Sequence, residues 1–240
     1  MTCGDPDLAT TLEISLAAIN AGADVIELGV PFSDPLADGP VIQRASQRAL
    51  HGDTSLRDVL ELAAKVRKQS DGGLIIFSYL NPIMRVGWAR FAGDAKQAGV
   101  DGALITDLPI EESSDYRHAM QKSGLATVFL AAPTSPEKRL KEIATASNGF
   151  VYAISRTGVT GARRQFPDDA RKLVGRLRKY TKLPVAVGFG ISTPEQFASI
   201  GEFAEAAVVG SAIVETVERN PGDEAKAVAK FVRMLVGGRK

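Results

Sequence analysis

The residue types best suited to acid–base chemistry fall in one stretch of the sequence, residues 27–40. An apolar run from Val25 to Leu28 predicts a buried strand, and Glu27 is its single carboxylate. The loop that follows holds three prolines, one glycine and two aspartates in ten residues, which makes it stiff. It brings a second carboxylate, Asp38, within reach of the first. A buried carboxylate on a strand beside a rigid polar loop indicates acid–base catalysis.

Each of these carboxylates also has a purely structural interpretation. Glu27 could be a core residue whose charge is satisfied by backbone donors, since an unpartnered buried carboxylate is costly. Asp38 could cap the helix that is predicted to begin after Pro40. The local pattern leaves both interpretations open.

Composition excludes several classes of protein. The chain has 240 residues, 45% of them hydrophobic, which is enough to bury a full core. A formal net charge of +1 gives no electrostatic basis for binding nucleic acid or an anionic membrane. The single cysteine, Cys3, excludes an internal disulfide, and His51 and His118 lie among polar neighbours that do not form a zinc-binding pattern. Without a membrane span or a signal peptide, we expect a soluble cytoplasmic protein.

Strand-like and helix-like segments alternate along the whole chain, with no linker and no shift in composition. Short, continuously apolar runs such as residues 74–77 suit parallel strands that are covered on both faces. We therefore expect one α/β domain over residues 1–240, either a (β/α)8 TIM barrel or a doubly wound sheet. The barrel is favoured because no dinucleotide-binding glycine fingerprint follows an early strand. Polar residues recur just after the strands, and in a barrel these positions meet at one mouth.

The two ends of the chain carry further predictions. Asp5-Pro6 is predicted to cap the first helix, and one last helix is predicted to run towards Leu235. Seven strands are predicted, and only residues 2–4 precede the first helix, so the first strand of a barrel is largely missing at the N-terminus. Either the start codon has been placed too late or the chain lacks this strand. In the second case unpaired strand edges predict a destabilised, aggregation-prone protein.

Two glycine-bearing turns in the second half are candidates for binding a phosphate. One is residues 188–192, and the other is Gly210-Ser211 at the start of a predicted helix. Glycine allows backbone N–H groups to approach an anion, and a helix start adds partial positive charge. Turns after the last two strands of such barrels are the usual phosphate site, although glycine could serve turn geometry alone. The basic, glycine-spaced residues 155–164 suit either a mobile lid or a plain surface loop.

These motifs resemble the tryptophan synthase alpha subunit family. The longest and most specific match is residues 27–43, and the resemblance covers nearly the whole chain. The shorter matches are Gly4-Asp5-Pro6, Asp107-Leu108-Pro109, and residues 155–161, 188–191 and 210–214.

The resemblance implies a lyase that cleaves indole-3-glycerol phosphate to indole and glyceraldehyde 3-phosphate in tryptophan biosynthesis, without metal or organic cofactor. Glu27 would be the general acid–base, and Asp38 would accept the indole N–H. Thr160 would orient Asp38 when the lid closes. The indole and glycerol would be bordered by Phe77, Tyr79 and Tyr152. The phosphate would be held, largely by backbone donors, at Gly161, Phe189, Gly190, Gly210 and Ser211.

The resemblance also implies a partner, a beta subunit that uses pyridoxal phosphate, in an alpha2beta2 complex. The alpha subunit would dock through residues 31–38 and the lid. Two rival functions stay open at this point. One is another phosphosugar barrel, such as an isomerase or a different indole-forming lyase. The other is a truncated, weakly active or regulatory subunit that mainly binds a beta partner.

Overall fold

The computed structural model describes residues 1–154, 166–188 and 190–237. Within them the chain alternates between strands and helices, as the sequence predicts. The strands are β1 (Val25–Gly29), β2 (Gly73–Ser78), β3 (Gly102–Ile105), β4 (Ala126–Ala131), β5 (Val151–Ile154), β6 (Val185–Gly188) and β7 (Ala206–Val208). The helices are α1 (Leu8–Asn20), α2 (Pro40–His51), α3 (Leu56–Arg67), α4 (Leu80–Met84), α5 (Trp88–Gln97), α6 (Ser114–Lys122), α7 (Glu137–Ala146), α8 (Phe166–Leu177), α9 (Pro194–Gly201), α10 (Ser211–Arg219) and α11 (Glu224–Val236), with a 3-10 turn at Ile110–Glu112.

The seven strands form one parallel sheet in sequence order, β1 to β7. Each strand is joined to the next by a helical connection, which is the arrangement of a (β/α)8 barrel. In the β1–β2 pairing Glu27 is opposite Ile75, and Gly29 is opposite Phe77. This register aligns the carboxyl ends of the two strands, so the residues that follow them meet at the same mouth.

The first strand of the barrel is reduced to a short segment beside β1. Thr2 forms an isolated parallel bridge with Gly29, the Gly29 amide donates to the Met1 carbonyl at 2.8 Å, and the Cys3 amide donates to the Gly29 carbonyl at 2.9 Å. A Cβ at Gly29 would lie 2.7 Å from the Met1 carbonyl oxygen, so only glycine allows this approach. The prediction of a largely missing first strand is therefore confirmed for the described residues.

The core has two layers. Most buried apolar side chains lie between the sheet and the surrounding helices. A smaller cluster fills the inside of the barrel, built on Ile75, Leu104, Val128 and Tyr152 with Phe77 packed against it. Successive side chains of a strand point to opposite faces of the sheet. One set therefore packs against the helices and the other set fills the inside of the barrel. No helix among the described residues has both the length and the apolar character to cross a membrane.

Two predictions at the ends of the chain are wrong. Asp7, not Asp5, caps α1, since its carboxylate accepts from the Thr10 amide at 2.8 Å. Asp5 is instead buried, with 4% of its surface exposed. The predicted last helix is two helices, α10 and α11, because Pro221 and the positive φ of Gly222 interrupt it. The sequence pattern also missed α4, the short helix that directly follows Tyr79.

Candidate active site

Glu27 lies in the middle of β1, partly buried. Removal from water raises the pKa of its carboxyl from 4.5 to about 7, and the nearby Met1 ammonium group opposes this shift. No hydrogen bond is among the causes of the shift, which disfavours the interpretation of Glu27 as a core residue held by backbone donors. A carboxyl with a pKa near neutrality can both donate and accept a proton.

Tyr152 on β5 lies close enough to Glu27 to feel its charge. Burial and the Glu27 carboxylate together hold the pKa of the Tyr152 hydroxyl well above its usual range, so it remains a neutral phenol. Its ring extends across β6, where a Cβ at Gly188 would overlap the phenol. A glycine at this strand position therefore makes room for a tyrosine inside the barrel.

Asp38 is held by Tyr79, a residue 41 positions away in the sequence. The Tyr79 hydroxyl donates to Oδ2 of Asp38 at 3.0 Å and accepts from the Ala37 amide at 3.0 Å. Burial raises the pKa of Asp38, and the bond from Tyr79 opposes that rise. The cap of α2 is Gly39, with no side-chain bond, so Asp38 is not the helix cap. The geometry therefore supports the interpretation of Asp38 as a site carboxylate and not as a helix cap.

Tyr79 is itself fixed from two sides. Its ring stacks on Phe32 with centroids 5.2 Å apart, which ties the end of β2 to the loop that carries Asp38. The Asp107 carboxylate accepts from the Leu80 amide at 2.7 Å and so anchors the first turn of α4. In the sequence Asp107 is one of the polar residues that follow predicted strands, and it also belongs to a family motif. Its contact with the residue after Tyr79 connects the β3 loop to the Asp38 loop.

Phe77 supplies an apolar wall beside these polar groups. It is paired with Gly29 on one side and Leu104 on the other, and it packs on the interior cluster. The barrel therefore brings together two strands that carry predicted site residues. Phe77 lies on β2 with Tyr79 just after it, and Tyr152 lies on β5. The family resemblance implies that they border the indole and the glycerol of one substrate, and their positions are compatible with that role.

The two phosphate-binding candidates follow neighbouring strands, β6 and β7, as the sequence predicts. Gly190 has a φ of +77°, a left-handed conformation that favours glycine. Gly210 caps α10 with a φ of −102°, and no atom lies within 4 Å of where its Cβ would be. The fold therefore does not require glycine at position 210, whereas a ligand approaching the first N–H groups of α10 would. Ser211 is exposed at the first position of that helix.

Three predicted site residues, Thr160, Gly161 and Phe189, lie outside the described residues, as does the predicted lid. Among the residues that are described, no group of three or more His, Cys, Asp or Glu side chains could hold a metal ion. His51 and His118 are both exposed.

The outer side of the Asp38 loop forms an open surface cavity of about 470 Å³. It is lined by residues 32–36 of the loop and by one face of α2, through Gln43, Gln47, Leu50 and His51. Leu36 is 85% exposed at its edge.

Comparison with known proteins gives one consistent result. A family profile for the tryptophan synthase alpha chain matches residues 1–237. The tryptophan synthase alpha chain of Solibacter usitatus is 50% identical over 240 residues, covering 99% of this chain and 90% of the relative. That of Neisseria meningitidis serogroup B is 45% identical over 236 residues, covering 98% and 90%.

Solved structures agree with the sequence comparisons. A chain of the tryptophan synthase alpha2beta2 complex from Pyrococcus furiosus superposes with a TM-score of 0.92 at 40% identity, covering 99% of this chain and 96% of that one. A chain of Mycobacterium tuberculosis tryptophan synthase gives a TM-score of 0.92 at 36% identity, covering 99% and 90%. Taken with the carboxylate site and the barrel that carries it, these matches establish that the chain belongs to the tryptophan synthase alpha chain family.

Proposed function

We propose that Glu27 and Asp38 carry out the reaction of this family, the cleavage of indole-3-glycerol phosphate to indole and glyceraldehyde 3-phosphate. The observation that carries the proposal is the environment of Glu27. It is a carboxyl with a pKa of about 7 on an interior strand, facing a neutral phenol. The reaction is a retro-aldol lyase step, and it needs one group that first donates a proton and then accepts one.

In the first step neutral Glu27 donates its proton to C3 of the indole ring. The ring then carries a positive charge, shared with its nitrogen. Asp38 accepts the indole N–H and stabilises this charge, and the bond from Tyr79 keeps one of its oxygens oriented. Because this interaction is strongest when the ring is charged, it favours the transition state over the bound substrate.

In the second step the Glu27 carboxylate takes the proton of the hydroxyl on the glycerol carbon attached to C3. The electrons of the O–H bond form the aldehyde carbonyl, and those of the C–C bond return to the ring. Indole and glyceraldehyde 3-phosphate leave, and Glu27 ends protonated as it began. Each proton is moved by a side chain of this protein, so the proposal assigns no cofactor to it.

The remaining predicted residues bind and orient the substrate. Phe77 and Tyr79 border the indole, and Tyr152 borders the glycerol. Gly190, Gly210 and Ser211 bind the phosphate together with Gly161 and Phe189, and Thr160 orients Asp38 during closure. The open space above Gly210 and the start of α10 support the phosphate assignment.

The partner in this proposal is the beta subunit of tryptophan synthase, in an alpha2beta2 complex. Residues 31–38 and the exposed Leu36 offer the docking surface. Pyridoxal phosphate belongs to the reaction of the beta subunit, which joins indole to serine. The biosynthetic role places the complex in the cytoplasm.

The test is indole release from indole-3-glycerol phosphate by the full chain, with and without a beta subunit. Glu27→Gln is compared with Glu13→Gln, an exposed glutamate on α1. General acid–base catalysis contributes about 10²–10⁴-fold, so we expect a loss of that size in Glu27→Gln alone. Equal rates for the two variants would contradict the assignment of Glu27.

A further inference from the structure

Four charged side chains form an ion cluster on the side of the barrel where the first strand is reduced: Asp5, Arg44, Arg48 and Glu218. Arg48 binds Asp5 with two parallel bonds, Nε to Oδ1 at 2.7 Å and Nη2 to Oδ2 at 2.9 Å. Its Nη1 donates to Oε1 of Glu218 at 2.8 Å. Arg44 binds the same Glu218 with two bonds, at 2.9 and 2.7 Å. Arg48 therefore joins two carboxylates from distant parts of the chain.

The cluster is more than a set of surface ion pairs, because one of its two carboxylates, that of Asp5, is buried. The Asp5 side chain is 3% exposed, and that of Arg48 is 35% exposed. Exposed pairs contribute little, but removing the partner of a buried charge is strongly destabilising. The two arginines together hold the pKa of Glu218 down to about 2, so Glu218 stays charged over the physiological range.

The position of the cluster connects the two halves of the active site. Arg44 and Arg48 are one turn apart on α2, the helix that begins two residues after Asp38. Glu218 is on α10, the helix that begins at the phosphate turn with Ser211. Asp5 follows the short segment that pairs with β1. The cluster therefore joins the helix behind the acid–base loop to the helix behind the phosphate site.

Among the described residues β1 and β7 are the two ends of the sheet and share no ladder hydrogen bonds. The gap between them is bridged by helices, since α2 packs on α10 and α1 packs on α11. The cluster is part of the contact between α2 and α10, which joins the two half-sites among the described residues.

We infer that Arg48 is a positioning residue, which fixes the spacing between Asp38 and the Gly210-Ser211 turn. The inference rests on the proposed function, in which one substrate reaches from its indole ring at Asp38 to its phosphate at α10. A change in spacing weakens binding of a ligand that spans both half-sites. It leaves each half-site intact for a ligand that occupies only one.

The experiment measures binding of three probes to the full chain. 3-(Indol-3-yl)propyl phosphate carries both ring and phosphate and cannot be cleaved by a retro-aldol step. Indole and glycerol 3-phosphate each occupy one half-site. The variants are Arg48→Met, which keeps an unbranched stem but removes the guanidinium group, and Glu218→Gln, which leaves the buried Asp5–Arg48 pair in place. Arg57→Met is the control, because Arg57 makes only an exposed ion pair, with Glu61 on α3.

We expect the Kd of the spanning probe to rise at least tenfold in Arg48→Met and about threefold to tenfold in Glu218→Gln. The Kd values of indole and glycerol 3-phosphate stay within twofold of the unmodified chain. We expect kcat/KM for indole-3-glycerol phosphate to fall in Arg48→Met and in Glu218→Gln and to stay unchanged in Arg57→Met. If Arg48→Met does not fold, Glu218→Gln alone decides.

Two results would overturn the inference. One is a spanning-probe Kd in Glu218→Gln that equals that of the Arg57→Met control. The other is equal weakening of all three probes, which would mean general structural damage. Failure of the proposed function is a separate result. In that case the unmodified chain would not cleave indole-3-glycerol phosphate, whatever the probes show.

Discussion

The Tyr79 hydroxyl donates to Oδ2 of Asp38 across 3.0 Å, while the same oxygen accepts from the Ala37 amide. One phenol at the end of β2 thus binds both the carboxylate and the backbone of the loop that carries it. Its ring is packed on Phe32 of the same loop. Asp38 is therefore oriented before any substrate arrives, and this preorganisation is what electrostatic catalysis requires.

Replacing this phenol tests the orientation of Asp38. Tyr79→Phe keeps the ring stacked on Phe32 and removes only the hydroxyl. A hydrogen bond to a charged group contributes about 1.5–3 kcal/mol, so we expect kcat/KM to fall about tenfold or more. The pKa of Asp38 rises, because the bond that lowers it is lost. Steady-state kinetics over a pH series measures both effects.

Tyr180→Phe is the matched control for that variant. Tyr180 also donates to a carboxylate, Oε2 of Glu137 at 2.7 Å, but this bond is exposed and involves neither Glu27 nor Asp38. Its loss should leave kcat/KM unchanged. If Tyr79→Phe behaved in the same way, the orientation of Asp38 would have to come from elsewhere.

The raised pKa of Glu27 predicts how stability depends on pH. Burial raises this pKa from 4.5 to about 7, so between those values the folded chain binds more protons than the unfolded chain. The free energy of unfolding therefore falls as pH rises through this window. The full cost is about 3 kcal/mol above pH 7. Glu27→Gln removes it, and the variant should be more stable than the unmodified chain by about that amount at pH 8.

Chemical denaturation at several pH values measures this difference. At pH 5 it should shrink to less than about 1 kcal/mol, because the carboxyl is then protonated in the folded chain and the pH is only just above its pKa of 4.5 in the unfolded chain. Glu13→Gln, at an exposed position, should show no such trend. A stability difference independent of pH would mean that folding does not raise the pKa of Glu27.

Gly188→Ala tests the contact between β6 and Tyr152. The added methyl would overlap the phenol, so Tyr152 has to move from its place inside the barrel. Overpacking of this kind costs about 1–3 kcal/mol, and indole release should fall as well. Gly175→Ala is the control, because this helical glycine of α8 has open space and alanine favours a helix by about 0.5–1 kcal/mol. Thermal denaturation separates the two variants, and equal melting temperatures would contradict the prediction.

Gly210→Ala tests whether this glycine serves the ligand or the fold. The backbone at position 210 has a negative φ, and a Cβ would meet no atom within 4 Å, so the melting temperature should not change. The methyl would instead obstruct an anion at the start of α10. We expect the Kd of glycerol 3-phosphate to rise about tenfold, equivalent to about 1.4 kcal/mol.

Gly201→Ala, at the end of α9, adds a methyl into equally open space away from the turn. Calorimetric titration of both variants with glycerol 3-phosphate completes the comparison. Unchanged affinity in Gly210→Ala would place the phosphate elsewhere.

The sequence by itself determined the strand of Glu27, the stiff loop of Asp38 and the strict alternation of strands and helices. These features depend on local properties, such as the periodicity of apolar residues and the fixed φ of proline. It also predicted the shortage of residues for a first strand, which the bridge at Thr2 confirms. Among the described site residues, Glu27, Phe77 and Tyr152 lie on strands, and Tyr79 and Gly190 follow just after strands.

Only the tertiary structure decided the partners of those residues. The Tyr79–Asp38 bond joins positions 41 residues apart, and the Arg48–Glu218 bond joins positions 170 apart. The sequence pattern predicted Asp5 as a helix cap, because Asp-Pro before a helix is typical of a cap. In the structure the Asp5 carboxylate instead accepts hydrogen bonds from Arg48. Such contacts, and the burial that raises the pKa of Glu27, depend on which helices and strands pack together. That packing is set by the whole chain and is not encoded at any single position.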